Sequence, residues 1–196
     1  MTHYYTNNKD LASNRREFTY YFDNETFRFT TDNGVFSKSN VDYGSYILLQ
    51  TIYKLDLGNS LLDLGSGYGP IGIILKRFHP NTMVEMVEVN SRAIELAILN
   101  CQLNKTDINV YQCEDITKLD HKFDTIVLNP PIRTGKAVIY DLYEKSKMML
   151  NDNGHLYIVI RKAQGANSSI KKLGTLFNDV KVINKESGYF VIDNHN

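Results

Sequence analysis

A glycine-rich segment at positions 61–72 has the residue types of a small-molecule binding turn. It reads LLDLGSGYGPIG, with glycines at 65, 67, 69 and 72. Its apolar lead-in, and the helical spacing of the apolar residues after it, predict a buried strand, a tight turn and a helix that opens at Pro70. Glycines let a ligand approach the backbone, and a helix N-terminus favours negative charge. We therefore expect a ligand that contains adenosine to bind here.

The identity of that ligand depends on two residues of the segment. The spacing Gly67-x-Gly69-x-x-Gly72 also occurs in proteins that bind nicotinamide or flavin dinucleotides. However, Pro70 lacks the N–H that a pyrophosphate would use at the helix start. Asp63 would repel phosphate but could accept a hydrogen bond from an ammonium group or its water. S-adenosylmethionine, with an amino-acid end and an adenosine end, fits both features, and Glu88 is then expected to bind its ribose hydroxyls.

A second segment, Asn129-Pro130-Pro131-Ile132-Arg133, has the residue types for chemistry on an amine. Two prolines fix the backbone at the exit of a predicted strand, because proline has a single φ and restricts the residue before it. The Pro130 carbonyl and the Asn129 side-chain oxygen then form two fixed acceptors for an –NH2 group. Methyl transfer to such a nitrogen requires its lone pair to face the methyl carbon at about 3 Å. The two oxygens would stabilise the positive charge that develops, so no strong general base is needed in advance.

The elements that must position these segments follow from the apolar periodicity. Strand and helix patterns alternate from position 60, which predicts right-handed βαβ units and a mostly parallel, doubly wound α/β sheet. Ligands of such sheets bind at the carboxyl ends of the strands. Four polar residues follow or end predicted strands and should therefore form one site: Asp63, Glu88, Asp115 and Asn129.

The remaining predicted elements complete this scaffold. Strands are predicted at 83–88, 109–113, 124–128 and 155–160, and helices at 42–54, 91–103, 138–150 and 168–177. Asp42 or Ser45 can cap the first of these helices. Asn151 to Gly154 is predicted to stop the helix that precedes it. Strands 180–183 and 189–192 should pair antiparallel, and strands 18–22 and 26–30 should form a small N-terminal hairpin. We divide the chain into an N-terminal extension with this hairpin cap (1–34) and a main part (35–196), one domain overall.

Composition excludes several classes of protein. The 196 residues carry no formal net charge, yet residues 1–130 hold 12 Lys/Arg and 16 Asp/Glu while residues 131–196 hold 10 and 6. The basic excess thus follows the candidate site, which is compatible with an anionic substrate or with ordinary solvated lysines. We expect both cysteines to be reduced, and we expect no metal because the five histidines lack metal-ligand spacing. We also expect no membrane span and no signal peptide. The protein is therefore expected to be cytoplasmic and, by default, monomeric.

Together these motifs resemble a known family. DLGSGYG at 63–69, the acid of VEVN at 87–90, Asp115 and NPPIR at 129–133 are similar to class I S-adenosylmethionine-dependent methyltransferases that modify exocyclic or amide nitrogens. More narrowly, the chain resembles the short, one-domain form of the small-subunit ribosomal RNA guanine-N2 methyltransferases, in GVFSK (34–38), VDYGS (41–45), NPPIRTGK (129–136), RKAQGA (161–166) and GYFVI (188–192). The resemblance covers nearly the whole chain.

The resemblance implies a fold, a cofactor and a partner. The expected fold is a Rossmann-like seven-stranded sheet with a C-terminal antiparallel hairpin and an N-terminal hairpin cap. The expected activity is methyl transfer from S-adenosylmethionine to the N2 amine of a guanine in 16S ribosomal RNA, so the partner would be ribosomal RNA or the small subunit. No membrane and no metal take part.

Functional residues carry over position by position. The family pattern places Gly65, Ser66 and Gly67 along the methionine part of the cofactor. Glu88 would bind the ribose and Asp115, with Ile116 beside it, the adenine. Asn129 and Pro130 would hold the guanine amine, and the expected substrate-binding residues around them are Phe36, Pro131, Ile132, Arg133 and Lys136.

The chain departs from the family pattern at one functional position. Many nitrogen methyltransferases have an aromatic residue after the two prolines, which stacks on the target base, whereas this chain has Ile132. Phe36, on the loop before the first helix of the main part, is the candidate replacement, and a role as a core residue is the alternative. Four basic residues are candidates for contact with phosphates of a flipped-out nucleotide, or simply for a solvated surface: Arg133, Lys136, Arg161 and Lys162.

Two other functions remain open from the sequence. One is the same chemistry on another amine, either adenine N6 in nucleic acid or a protein glutamine. The other is a non-catalytic binding module that acts in ribosome assembly.

Overall fold

A computed structural model describes residues 12–35 and 40–196, and it confirms the predicted doubly wound α/β fold. The strands are β1 (Arg16–Phe22), β2 (Glu25–Thr31), β3 (Ser60–Leu64), β4 (Met83–Glu88), β5 (Asn109–Gln112), β6 (Phe123–Leu128), β7 (Leu150–Arg161), β8 (Asp179–Glu186) and β9 (Tyr189–His195). The helices of two turns or more are α1 (Tyr43–Ile52), α2 (Pro70–Phe78), α3 (Ser91–Asn104), α4 (Lys136–Met149) and α5 (Ala166–Leu173). None of the helices in these two ranges is long and apolar enough to traverse a bilayer.

The described residues form one seven-stranded sheet and a separate two-stranded hairpin. The sheet order is β5-β4-β3-β6-β7-β9-β8, in which β9 runs antiparallel to both of its neighbours and the other pairs are parallel. Apolar residues of α1, α2, α3 and the N-terminal hairpin cover one face, and those of α4 and α5 cover the other. The central strand β3 is therefore buried along its whole length.

The predicted C-terminal hairpin is confirmed, with one difference in its placement. Ser187 and Gly188 form the turn between β8 and β9, both with positive φ (48° and 80°), as a two-residue hairpin turn requires. The later strand, β9, lies inside the sheet beside β7, and β8 forms the edge. This order brings the first residue of β9, Tyr189, opposite Arg161 at the end of β7.

The prediction that Asn151 to Gly154 stops the preceding helix is confirmed, since α4 ends at Met149, but the predicted start of the next strand at 155 is wrong. Strand β7 already begins at Leu150, which pairs with Phe123, and pairing resumes at His155 after a register shift. The sheet tolerates the intervening residues because the Asn151 amide donates to Asp124 Oδ1 at 2.8 Å and Asn153 adopts a φ of 61°. The polar cluster that stops the helix is thus also an irregular stretch of strand.

The predicted N-terminal hairpin forms and is held by two asparagines of α3. Asn100 accepts from the N–H of Thr30 (2.7 Å) and donates to its carbonyl (3.0 Å). Asn104 makes the same pair of bonds with Arg28 (3.0 and 2.7 Å). Residues two apart on a strand face the same way, as do residues four apart on a helix. The two amides therefore form hydrogen bonds with the backbone N–H and C=O groups at the edge of β2 that does not pair with β1. Asn100 also donates to the carbonyl of Tyr68 (2.9 Å), which links the hairpin to the glycine-rich turn.

Asn100→Ala should therefore lower the free energy of unfolding by roughly 2–4 kcal/mol, because it leaves buried backbone groups of Thr30 and Tyr68 without partners. Urea denaturation measures this change. The matched control is Gln102→Ala on the same helix, where the side chain is exposed and the expected change is within about 0.5 kcal/mol. Equal stabilities of the two variants would contradict the proposed role of Asn100.

Candidate active site

A cleft opens at the carboxyl ends of β3, β4 and β6, where the sequence predicts the site. It is lined by Val35, Asp42, Ser45, Gly65, Ser66, Gly67, Tyr68, Pro70, Ile71, Glu88, Asn90, Ala93, Asn129, Pro130, Ile132, Arg133, Gln164 and Tyr189. The cleft therefore brings together the glycine-rich turn, the end of β4 and the Asn-Pro-Pro segment. These elements meet because parallel strands place their carboxyl ends at the same edge of the sheet.

The turn between β3 and α2 is anchored to the neighbouring strand by its backbone. Val87 O accepts from the N–H groups of Gly65 (2.9 Å) and Ser66 (3.1 Å). Gly69 adopts a φ of 92° and precedes Pro70, the first residue of α2, as predicted. A Cβ at Gly72 would lie 2.8 Å from Met86 Sδ, so this glycine lets the helix pack closely on the sheet.

The turn fits the methionine part of S-adenosylmethionine. Gly65 and Gly67 both have positive φ (74° and 58°), and a Cβ built at either would meet no atom within 4 Å, so the cleft side of the turn is open. Ser66 Oγ is buried in the cleft and has no hydrogen-bond partner among the described residues. A buried hydroxyl without a partner is costly, and a polar ligand group would satisfy it.

Glu88 lines the cleft as predicted, and its carboxylate also orders the loops around it. Its Oε2 accepts from Gly67 N (2.9 Å), and its Oε1 accepts from Val89 N (2.8 Å) and Asn90 N (3.0 Å). These bonds fix the carboxylate at the edge of the cleft, and an oxygen that accepts one such bond retains a lone pair. A ribose hydroxyl could use that lone pair.

Asp63 does not line the cleft, which corrects its predicted role as a contact for the cofactor's ammonium group. Its side chain is buried behind the turn, where Oδ2 accepts from Gly72 N at 2.8 Å. The pKa of Asp63 is raised to about 7, mainly because burial removes the carboxylate from water. The charge of Glu88 also raises this pKa, and the Gly72 hydrogen bond opposes the rise. Asp63 therefore supports the first turn of α2 and acts on the cleft only through it.

Two residues predicted at the adenine end are not cleft-lining in this structure. Asp115 caps a 3-10 turn by accepting from Thr117 N (3.3 Å), and it lies 3.5 Å from Lys145 Nζ. Ile116 is buried in the core between the sheet and α4. Both residues follow β5, the edge strand next to β4, which is the side of the site where the adenine is expected. Their side chains, however, make the cap, ion-pair and core contacts just described and do not line the cleft.

The Asn129 amide is held in one orientation. Its Nδ2 donates to Asp42 Oδ1 (3.2 Å) and lies 3.1 Å from Ser45 Oγ. Because an ionised carboxylate offers acceptors only, the –NH2 group must face Asp42 and the oxygen must face away from it. Asn129 and Pro130 both line the cleft, and neither of the two predicted acceptor oxygens, Asn129 Oδ1 and the Pro130 carbonyl oxygen, has a donor among the described residues.

The substrate-side predictions divide into three groups. Ile132 and Arg133 line the cleft with Pro130. Pro131 is buried and is not cleft-lining; its carbonyl accepts from Thr134 N (2.9 Å) and closes the short turn that follows. Lys136, at the start of α4, is exposed and also is not cleft-lining. Phe36 lies outside the described residues.

Sequence reasoning missed six polar or aromatic residues of the cleft as site residues: Asp42, Ser45, Tyr68, Asn90, Gln164 and Tyr189. Asp42 and Ser45 were assigned only to the cap of α1, a role that the structure confirms for Asp42, which accepts from Ser45 N at 3.2 Å. Gln164 follows β7 and Tyr189 is the first residue of β9, so both lie far from the motifs in sequence. The signal for Tyr189 was its place in the GYFVI segment, but only the sheet order brings that segment to the site.

The fold also assembles histidines that have no metal-ligand spacing in the sequence. Ligand atoms of His155, Asp193 and His195 lie within 4.8 Å of one another, and His155 Nδ1 is 2.7 Å from Asp193 Oδ1. This cluster lies at the opposite end of β7 and β9 from the cleft, so it takes no part in the chemistry there.

Comparisons with known proteins agree with the fold. The model of the methyltransferase small domain family matches residues 26–193. An uncharacterized protein of Bacillus subtilis, YbxB, is 40% identical over 193 residues, which cover 97% of this chain and 96% of that protein. Ribosomal RNA small subunit methyltransferase C of Haemophilus influenzae is 34% identical over 166 residues, which cover 81% of this chain and 48% of that protein.

A solved structure supports the fold assignment. The Thermus thermophilus 16S rRNA N2 G1207 methyltransferase, in complex with AdoMet and guanosine, superposes with a TM-score of 0.83 at 23% identity, covering 93% of this chain and 50% of that one. The chain thus spans about half the length of the named ribosomal RNA methyltransferases that it matches.

Together with the family match, the sheet order and the cleft define a class I S-adenosylmethionine-dependent methyltransferase, for which S-adenosylmethionine is the methyl donor. The chain belongs to the methyltransferase small domain family.

Asp63 gives a pH-dependent prediction. Since its folded-state pKa of about 7 lies above the ordinary value of 3.8 for an aspartate, the native state binds an extra proton between these values and loses stability as the pH rises through this window. Asp63→Asn removes the titration and leaves an oxygen that can accept from Gly72. The free energy of unfolding of the variant minus that of the unchanged protein should therefore be roughly 2–3 kcal/mol larger at pH 8 than at pH 5. Urea denaturation of both proteins at both pH values measures this change. The same difference between the two proteins at pH 5 and pH 8 would contradict the raised pKa.

Proposed function

We propose that this protein transfers a methyl group from S-adenosylmethionine to the exocyclic N2 amine of a guanine in small-subunit ribosomal RNA. The observation that carries the proposal is the pair of acceptors that lack a described donor, Asn129 Oδ1 and the Pro130 carbonyl, in residues that line the cofactor cleft. A primary amine offers two N–H donors, and these oxygens would accept both. The relatives named as ribosomal RNA methyltransferases support the choice of a guanine in RNA over other amines.

The residues that would hold the cofactor are those of the glycine-rich turn and β4. The open face of Gly65 to Gly67 would lie along the methionine part, Ser66 Oγ would bond a polar group there, and Glu88 would bind the ribose. Asp115 and Ile116 remain candidates for the adenine end if their side chains rearrange on binding. When bound, S-adenosylmethionine supplies an electrophilic methyl group next to the Asn-Pro-Pro segment.

Asn129 and Pro130 supply orientation and charge stabilisation. The lone pair of the guanine amine is conjugated with the ring, and two hydrogen bonds to fixed oxygens turn the nitrogen toward the methyl carbon. Bound S-adenosylmethionine would supply the methyl group, with its sulfur as the leaving atom, and positive charge would develop on the substrate nitrogen as the new N–C bond forms. The two oxygens stabilise that charge. The nitrogen then loses its extra proton to water, so no buried base is required.

Asp42 acts as a positioning residue in this scheme. It holds the –NH2 end of Asn129, so the oxygen cannot rotate away from the substrate. The same carboxylate caps α1, which ties the orientation of the amide to the position of a helix.

The domain organisation and the form of the substrate are also part of the proposal. We propose residues 35–196 as the catalytic domain with residues 1–34 as its cap, within a single domain. We further propose that the substrate is an assembled or partly assembled small subunit, which would supply recognition contacts beyond the cleft. A ribosomal substrate would place the protein in the cytoplasm.

Methyl labelling tests the proposed substrate. The purified protein is incubated with tritiated S-adenosylmethionine and with small subunits or 16S RNA from a strain that lacks the protein, and in parallel with DNA and with total protein. We expect label in RNA, recovered as N2-methylguanine after digestion. Label in N6-methyladenine or in protein glutamine would overturn the guanine assignment, and absence of cofactor binding by calorimetry would favour a non-catalytic binding module.

Variants at the Asn129–Asp42 pair test the mechanism. Asn129→Ala should lower kcat by about 10²–10³-fold, because one fixed acceptor is lost, while the Kd for S-adenosylmethionine stays the same. Asp42→Ser retains a residue that caps α1 but is too short to hold Asn129, so it should lower kcat with little loss of stability. Asp42→Asn keeps an acceptor for the amide and should retain most of kcat. Full activity of Asp42→Ser would contradict the positioning role.

A further inference from the structure

We propose that Tyr189 provides the aromatic surface on which the target base stacks, in place of the aromatic residue that Ile132 replaces. This inference rests on the proposed function and specifies its substrate site. An enzyme that modifies a base atom takes the nucleotide out of the stack, and the exposed face of the base is then covered by aromatic or apolar side chains. Ile132 offers no aromatic ring, whereas Tyr189 lines the same cleft as Asn129 and Pro130.

The position of Tyr189 is set by the N-terminus of α1. Gly44 has no side chain, and a Cβ built there would lie 3.1 Å from Cε1 of Tyr189 and 3.1 Å from Oδ1 of Asp42. The tyrosine ring and the carboxylate that orients Asn129 therefore both pack against this glycine. One structural element thus positions the proposed stacking surface and the acceptor for the amine.

Neighbouring groups keep the ring in place. Tyr189 pairs with Arg161 across β9 and β7, and Lys162 N donates to Gly188 O at 2.7 Å next to it. The ring of Tyr43 meets the ring of Tyr189 edge-on at 5.7 Å, and the Tyr43 hydroxyl donates to Glu186 Oε1 at 2.9 Å. A ring that is ordered before binding loses little conformational entropy when a base stacks on it.

Arg161 adds charge at the same place. Its guanidinium carbon lies 5.7 Å from the centre of the Tyr189 ring. A cation beside an aromatic ring suits a nucleotide, because the ring can contact the base while the guanidinium reaches a phosphate. The combination is typical of sites for single-stranded or flipped-out nucleotides rather than for a protein side chain such as glutamine.

Substitution of Tyr189 tests the inference. Tyr189→Ala should raise the KM for the RNA substrate about tenfold or more, as expected for the loss of one base–aromatic stack, and leave the Kd for S-adenosylmethionine unchanged. Tyr189→Phe keeps the ring and should behave like the unchanged protein. The matched control is Tyr21→Ala on the N-terminal hairpin, whose side chain is 76% exposed and which should leave KM unchanged.

A second readout separates this inference from the proposed function. The probe is 2-aminopurine riboside, which carries an amine at the same ring position as guanine and loses fluorescence when its base stacks. With S-adenosylhomocysteine bound, the unchanged protein and Tyr189→Phe should quench the probe, and Tyr189→Ala should not. If the unchanged protein and Tyr189→Phe quench the probe but methylate no RNA, the proposed substrate is refuted while the stacking role of Tyr189 stands. Quenching by Tyr189→Ala, or a KM effect that appears with Phe36→Ala instead, would overturn the role of Tyr189.

Discussion

The contact between the Asp42 carboxylate and the Asn129 amide is the constraint on which the site depends. Asp42 accepts from the backbone of α1 and from the side chain of Asn129, so a helix N-cap and the orientation of a functional amide share one acidic group. If the amide were free to rotate, half of its orientations would present a donor to the incoming amine and repel it. The backbone of the Asn-Pro-Pro segment is fixed by its prolines, and Asp42 fixes the remaining side-chain torsion.

The rest of the structure can be understood as support for this pair and for the turn opposite it. The glycine-rich turn is hydrogen-bonded to β4 through Val87 and Glu88, and the Asp63 carboxylate accepts from Gly72 N in the first turn of α2. The hairpin cap is tied to the same turn through Asn100. Apart from the Val87 carbonyl, each link uses a side chain to satisfy backbone groups near the cleft, so the site is ordered by polar contacts as well as by the apolar faces of the sheet.

Much of the fold was predictable from the sequence because apolar periodicity and glycine or proline positions are local signals. The order of alternating strands and helices, the N-cap at Asp42 and the start of α2 at Pro70 were all predicted from neighbouring residues. The error in the start of β7 has a long-range cause, since Asp124 on another strand holds Asn151 within the sheet. Local composition favours a turn there, and only the partner strand decides otherwise.

The site was predictable where its residues belong to a motif and not where they depend on sheet order. Asn129, Pro130, Glu88 and the glycine-rich turn reach the cleft as expected. Asp63 could be placed at a strand end, but the pleat that turns it away from the cleft could not be predicted from composition. Tyr189 reaches the cleft because β9 inserts between β7 and β8, a topological fact that no local pattern encodes.

The most direct test of the account is a crystal structure with S-adenosylhomocysteine and a guanosine nucleotide bound. We predict that the guanine N2 atom lies about 3 Å from both Asn129 Oδ1 and the Pro130 carbonyl oxygen, with Asn129 Nδ2 still bonded to Asp42. A structure in which the Asn129 amide faces the base with its –NH2 group, or in which N2 is bound by other residues, would contradict it.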